Sequence, residues 1–138
     1  MKVQVIRSNR KTIGLEVRAD ESVILRAPAV DEISDVEWKS ILGEFTERVN
    51  HFCKIMDVTV GRITIRNQKT RWGSCSSKGN VNFNYQLYYM PRELMDYVII
   101  HELSHRRHMN HSAEFWQEVE KYCKTYRECR KKLRDYEI

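Results

Sequence analysis

The sequence contains no long hydrophobic segment. Every apolar stretch is shorter than the ~18–20 residues that a membrane-spanning helix needs. The N-terminal segment M-K-V-Q-V-I-R alternates apolar and polar residues, so it lacks the apolar centre of a signal peptide. We therefore expect no membrane partner, and the cytoplasm is the location we expect by default.

Paired cysteine motifs are also absent. The four cysteines are far apart and form no C-x-x-C pair, which argues against a zinc ribbon. Because no extracellular signal accompanies them, their even number does not predict disulfides. We expect reduced thiols at all four positions, Cys53, Cys75, Cys123 and Cys129.

Acidic residues are missing from segment 58–92. The same segment carries six basic residues, within a chain whose formal net charge is +5: Arg62, Arg66, Lys69, Arg71, Lys78 and Arg92. A surface of one sign can attract nucleic acid, a nucleotide phosphate or an acidic peptide. The alternative is a solvated basic face without a specific partner.

The composition predicts one globular domain. The chain has 138 residues, of which 41% are hydrophobic and 31% charged, enough for one core and too few for two domains of ordinary size. Repeats, low-complexity tracts and linkers are all lacking. We expect residues 1–138 to form a single domain.

Alternating apolar residues predict several strands. Three short strands, near residues 3–7, 13–17 and 23–25, are separated by polar breaks and predict an antiparallel N-terminal sheet. Residues 63–65 predict another strand. Residues 81–87 predict a strand with one apolar face and one carboxamide face, which carries Asn82, Asn84 and Gln86.

Three main helices are predicted after the first strands. Ser34 and Glu37 form a capping-box pattern before apolar residues spaced three and four apart, which predicts a helix near 34–56. A second helix begins at Pro91 and runs to about residue 108, where Asn110 could end it. Ser112 caps the last helix, with its apolar stripe at Phe115, Val119, Tyr122 and Tyr126. The predicted fold class is α+β.

The most informative motif is H-E-L-S-H at residues 101–105. Two histidines four residues apart project from one face of a helix, where both can bind one zinc ion. Glu102 is placed to act on a water at that ion. Accidental spacing of surface residues is the alternative, but the preceding apolar run predicts a buried helix, whose histidines need partners.

The third ligand has several candidates. His108 would continue along the same helix, but it lies about two turns, roughly 10 Å, from His101, too far for one tetrahedral ion. His111 follows a turn and can approach from another direction. Glutamates of the last helix are the remaining candidates: Glu114, Glu118 and Glu120.

The histidine spacing matches the metzincin pattern H-E-x-x-H-x-x-G-x-x-H only in part. The required glycine is replaced by His108, and no methionine follows Met109 to form a Met-turn. The sequence therefore excludes a metzincin.

Five segments together resemble the YgjP-like family, which is related to the SprT-like and WLM metallopeptidases. They are R-W-G-S-C at 71–75, N-V-N-F-N at 80–84, Y-V-I-I-H-E-L-S-H at 97–105, N-H-S at 110–112 and F-W at 115–116. The resemblance implies a zincin-like core in which His101, His105 and His111 bind one zinc ion and Glu102 is the catalytic base.

The expected function is that of a zinc-dependent hydrolase, most simply a metallopeptidase acting on a peptide or protein. Candidate substrate-binding residues are Arg71, Asn82 and Asn84, and the oxyanion donor is left open between Arg71 and Tyr97. One alternative is hydrolysis of nucleotide phosphoanhydrides, with the basic segment 58–92 holding the phosphates. Another is a nucleic-acid-binding module with a structural zinc.

Overall fold

A four-stranded sheet forms one layer of the protein. The structure is a computed structural model that describes residues 2–6, 27–68 and 70–136. The strands are β1 (Lys2–Ile6), β2 (Arg62–Arg66), β3 (Gly73–Cys75) and β4 (Asn80–Asn84), in the spatial order β1-β2-β4-β3. β2 runs parallel to both β1 and β4, whereas β3 pairs with β4 in the antiparallel direction.

The sheet is mixed, so the prediction of an antiparallel N-terminal sheet is wrong for the described strands. β1 pairs with β2, more than fifty residues later in the chain. The connection includes the helix α1 (Asp35–Met56), and parallel neighbours require such a crossover connection. The strands predicted near 13–17 and 23–25 lie outside the described residues.

Helix α1 follows its sequence signals closely. Ser34 caps it, since the Ser34 hydroxyl accepts a hydrogen bond of 3.1 Å from the Glu37 backbone N–H. The helix ends at Asp57, which adopts the left-handed conformation with φ 55°. Its apolar stripe faces the sheet, where Phe45 stacks on Phe83 with ring centroids 5.6 Å apart.

Strand β4 is shorter than predicted. It ends at Asn84, and residues Tyr85–Tyr89 form a 3₁₀ helix. The Asn84 side chain accepts a hydrogen bond of 3.0 Å from the Gln86 backbone N–H, a local contact that competes with strand pairing. Gln86 is fully buried, so the predicted carboxamide face does not extend along a continuous strand.

Three further α-helices lie in the described residues, which gives four there where three were predicted. They are α2 (Arg92–Ser104), α3 (Ala113–Tyr122) and α4 (Tyr126–Arg134). The predicted last helix is interrupted at Cys123, whose φ of −141° and ψ of 89° are not helical. Trp116 and Tyr126 stack across this break with centroids 5.3 Å apart, so the apolar stripe continues into a second helix.

Helix α2 is the most buried helix and carries the histidine motif. Nine of its thirteen residues are buried, as its apolar sequence predicts. It ends at Ser104 rather than near residue 108, and Asn110 does not end it in a left-handed conformation: among the described non-glycine residues only Asp57 has positive φ.

No helix in the described ranges combines the length and the apolar character needed to cross a membrane. All four cysteines belong to these ranges and are free thiols, as predicted.

Candidate metal centre

Three histidines converge where α2 ends. His101 lies in the last turn of α2, His105 caps it, and the chain then turns back so that His111 faces both. One ring nitrogen from each histidine lies within 4.8 Å of the others. The Nε2 atoms of His101 and His111 are 3.3 Å apart. Two nitrogens bound to one tetrahedral zinc at about 2.05 Å are about 3.3 Å apart, so the spacing suits this ion.

The turn after α2 is fixed by hydrogen bonds to two distant segments of the chain. Arg106 donates to the carbonyl oxygens of Thr59 at 2.8 Å and Ser77 at 3.3 Å. Arg107 donates to the carbonyl oxygens of Met56 and Asp57 at 3.0 and 2.9 Å. These contacts hold the segment that carries the chain from His105 to His111.

The second nitrogens of two histidines are also engaged. The Nδ1 atom of His105 lies 3.1 Å from the His108 carbonyl oxygen. A carbonyl only accepts, so this nitrogen carries the proton and Nε2 keeps its lone pair. The Nδ1 atom of His101 lies 3.1 Å from the Tyr97 hydroxyl. Such partners orient metal-binding imidazoles.

Burial favours the neutral form that metal binding requires. Burial, together with the neighbouring His105 and His111, lowers the pKa of His101 to about 3. Burial also lowers the pKa of His105, and the His108 carbonyl partly opposes this shift. A neutral imidazole is the form that offers a lone pair to zinc.

Aromatic side chains from α3 wall the cluster. Phe115 stacks on His105 with centroids 4.5 Å apart, and Trp116 stacks on His111 at 5.8 Å. Helix α3 begins directly after His111, because the Ser112 hydroxyl accepts a hydrogen bond of 3.2 Å from the Phe115 N–H. The predicted cap at Ser112 is confirmed, and it places both rings on the histidines.

The other candidate ligands lie elsewhere. The cluster of potential ligands in the described residues contains neither His108 nor a glutamate of α3. Glu114 and Glu120 are exposed. Glu118 pairs with Arg107 at 3.4 Å and Lys121 at 3.5 Å.

Glu102 is buried beside the histidines. Its side chain lies between α2 and β3 and lines two cavities that also contain His101. Burial raises the pKa of this carboxyl to about 8, and Arg71 partly opposes the shift. A carboxyl whose pKa lies near neutrality suits transfer of a proton in both directions.

Gly73 in the R-W-G-S-C segment lets β3 approach Glu102. A Cβ atom at this position would lie 3.0 Å from the Asn82 carbonyl oxygen and 3.1 Å from both Glu102 Cγ and Val98 Cγ1. The glycine is therefore required by close packing between the sheet and the motif helix.

Replacing Gly73 by alanine is expected to destabilise the protein by about 1–3 kcal/mol, because the added methyl group forces β3 away from α2. Gly43→Ala is the matched control. No atom lies within 4 Å of a Cβ there, and alanine in a helix interior should stabilise by about 0.5–1 kcal/mol. Urea unfolding of both variants measures whether the free energy of unfolding falls in Gly73→Ala and rises in Gly43→Ala. Equal stability of the Gly73→Ala variant and the parent would contradict the packing argument.

The predicted substrate-binding residues occupy different environments. Arg71 lines both cavities beside Glu102. Asn82 donates to the Ser74 hydroxyl and accepts from Arg66, both at 3.0 Å. Asn84 is fully buried and donates to the carbonyl oxygens of Gln68 and Arg71 at 3.1 Å. The two asparagines thus hold β3 and the loop that precedes it.

The sheet edge beside the histidines is β3, not the strand at 80–84. β4 is paired on both sides, by β2 and by β3. Ser74 and Cys75 of β3 line the same cavity as His105 and His111.

Two basic residues of segment 58–92 have partners within the protein. Arg66 contacts Asn82, and Arg92 forms an ion pair with Glu44, while Lys69 lies outside the described residues. Two other arginines, Arg130 and Arg134, line the cavity that contains His101 and Glu102. Neither arginine was predicted as a site residue, because the break that creates α4 was not predicted from the sequence.

A family model described as YgjP-like, metallopeptidase domain matches residues 29–136. A comparison with curated protein sequences gives no significant match.

Two solved structures resemble the chain in both sequence and fold. The metallopeptidase zymogen abylysin of Pyrococcus abyssi is 26% identical with a TM-score of 0.56, covering 68% of this chain and 99% of its own. The metallopeptidase zymogen jannalysin of Methanocaldococcus jannaschii is 25% identical with a TM-score of 0.57, covering 64% and 92%. Wss1 of Saccharomyces cerevisiae, at 12% identity and a TM-score of 0.58 over 95% of this chain and 91% of its own, shares the fold alone.

Proposed function

We propose that this chain, which belongs to the YgjP-like metallopeptidase family, cleaves peptide bonds with one zinc ion per chain. We also propose that residues 1–138 form a single domain. The observation that carries the proposal is the convergence of three imidazoles within 4.8 Å beside the buried Glu102. Family membership makes the chain a hydrolase of the metallopeptidase class, and the site residues and mechanism below are proposed.

The proposed ligands are His101, His105 and His111. These three residues would hold a zinc ion, which would supply a water of lowered pKa and a Lewis acid for the substrate carbonyl. Glu102 accepts a proton from the attacking water and delivers it to the leaving nitrogen. Tyr97 and the His108 carbonyl keep two of the imidazoles oriented during the reaction.

Substrate is proposed to bind along β3. An extended peptide can add to a free sheet edge through backbone hydrogen bonds, and β3 is the edge beside the histidines. Arg71, exposed at the rim of both cavities, is proposed to contact substrate directly. Asn82 and Asn84 are proposed to act indirectly, by holding β3 and the loop before it.

A structural zinc in a nucleic-acid-binding module is less compatible with the cluster. Structural zinc sites have four protein ligands, whereas catalytic sites have three and an open position. Within the described ranges, the cluster has three ligands. The donor set therefore favours the hydrolase.

Metal analysis and parallel substrate assays test the proposal. Purified protein is expected to contain about one zinc per chain, to cleave an unfolded protein substrate, and to lose that activity with a chelator until zinc is restored. Nucleoside triphosphates are assayed in parallel. Release of pyrophosphate without protein cleavage would replace the peptidase by a phosphoanhydride hydrolase, and protein without zinc affinity would refute the site.

A further inference from the structure

We propose that the site selects substrates with a carboxylate on the C-terminal side of the scissile bond, and that Arg130 and Arg134 of α4, together with Arg71, bind this carboxylate. The inference rests on the proposed peptidase function and names its substrate class.

The binding space is a cavity of about 320 Å³ between α2, α4 and the residues leading into β3. His101 and Glu102 line it on the α2 side. The α4 side carries two guanidinium groups, and Arg71 adds a third from the segment before β3. The cavity thus joins the proposed reaction centre to a group of cations.

No ion pair neutralises these three arginines in the described residues. In the described residues, no carboxylate forms an ion pair with any of them, whereas Arg48, Arg92 and Arg107 each pair with an aspartate or glutamate. The guanidinium of Arg130 lies over the Trp116 ring, 4.4 Å from its centroid. This contact fixes a cation at the cavity without neutralising its charge.

Three like charges around one cavity repel each other, and a carboxylate among them would relieve this repulsion while accepting charge-assisted hydrogen bonds. Glu102 is the one acidic residue among the cavity's lining residues, and it is committed to the reaction. The bound carboxylate must therefore lie toward α4, away from Glu102. Leu133 and Val98 offer apolar contact to the methylene groups of such a side chain.

We take the bound peptide to add antiparallel to β3, and this sets its direction. The arginine-lined cavity lies at the Gly73 end of this strand, and the second cavity, with His105 and Met109, includes its Cys75 end. A peptide added antiparallel to β3 runs from the Cys75 end toward the Gly73 end. Residues after the scissile bond therefore reach the arginines. The carboxylate can be an acidic side chain or the free C-terminus of a short substrate.

Matched quenched-fluorescence peptides test the preference. The first has Glu directly after the scissile bond and an amidated C-terminus, the second replaces Glu by Gln, and the third has Gln and a free C-terminus close behind it. At low salt the wild-type protein is expected to cleave the Glu peptide with roughly tenfold higher kcat/KM than the amidated Gln peptide. If only the third peptide is cleaved with a higher kcat/KM than the amidated Gln peptide, the arginines bind the C-terminal carboxylate and not an acidic side chain.

In the Arg130→Gln/Arg134→Gln double variant, the ratio of kcat/KM for the Glu peptide to that for the amidated Gln peptide is expected to fall to about one. Lys124→Gln/Lys131→Gln removes the same charge from exposed positions that do not line this cavity, and it should keep the wild-type ratio. Equal cleavage of the peptides by the wild type, or a preference that survives the arginine substitutions, would overturn the inference.

A binding measurement separates this inference from the proposed function. The zinc-loaded Glu102→Gln protein is titrated with the Glu and Gln peptides by fluorescence anisotropy, and tighter binding of the Glu peptide is expected. Cleavage of both peptides without a binding preference would refute the arginine pocket and keep the peptidase. Hydrolysis of triphosphates that depends on Arg130 and Arg134, without peptide cleavage, would refute both.

Discussion

Glu102→Gln is expected to lower kcat/KM for peptide cleavage by roughly 10²–10⁴-fold while leaving the zinc content unchanged. Glutamine keeps the size and shape of the side chain but cannot accept the proton of the attacking water. The residue is 6% exposed and packs against Gly73, so an isosteric replacement is needed to preserve the contact between α2 and β3.

Three measurements check this result: kinetics with a fluorogenic peptide, zinc content by mass spectrometry, and the melting temperature. Glu114→Gln is the matched control, since Glu114 is exposed and lies outside the histidine cluster, and its kcat/KM should equal that of the parent. Turnover retained in Glu102→Gln would remove Glu102 from its proposed role. Loss of zinc together with activity would instead make it part of the metal-binding set.

Sequence patterns predicted the parts of the fold that depend on neighbours along the chain. The Ser34 cap, the cap at Ser112 and the apolar stripe of α1 each depend on residues spaced three or four positions apart, and this spacing can be identified directly in the sequence. The H-E-L-S-H motif belongs to this group, because a helix fixes the relation between His101 and His105.

Tertiary contacts decided what the sequence could not predict. β1 pairs in parallel with a strand more than fifty residues away, and alternation within a strand does not specify its partner. The break at Cys123 leaves the apolar stripe intact, because Trp116 and Tyr126 stack across it. Arg130 and Arg134 reach the cavity only because α4 packs beside α2, so nothing near the motif indicates them.

His111→Ala is expected to weaken zinc binding by more than about 100-fold, because removal of a direct ligand should cost more than the 10–100-fold typical of residues that only orient ligands. His111 is exposed, whereas His101 is partly buried and His105 is buried. Replacing His111 should therefore remove the metal with little loss of folding stability. Replacing a buried histidine would lower the folding stability as well, so the two effects could not be separated. Competition with a chromophoric chelator measures the affinity, and thermal unfolding of the zinc-free protein measures the fold.

His108→Ala is the most informative control for this experiment. His108 contributes its backbone carbonyl, 3.1 Å from His105 Nδ1, and alanine keeps that carbonyl. Zinc affinity should therefore stay at the parent value in His108→Ala, and likewise in Glu114→Ala. A large loss in His108→Ala with none in His111→Ala would show that the imidazole of His108 binds the metal. We expect His111 to be the ligand, because its Nε2 atom lies 3.3 Å from that of His101. Two nitrogen ligands of one tetrahedral zinc are also about 3.3 Å apart.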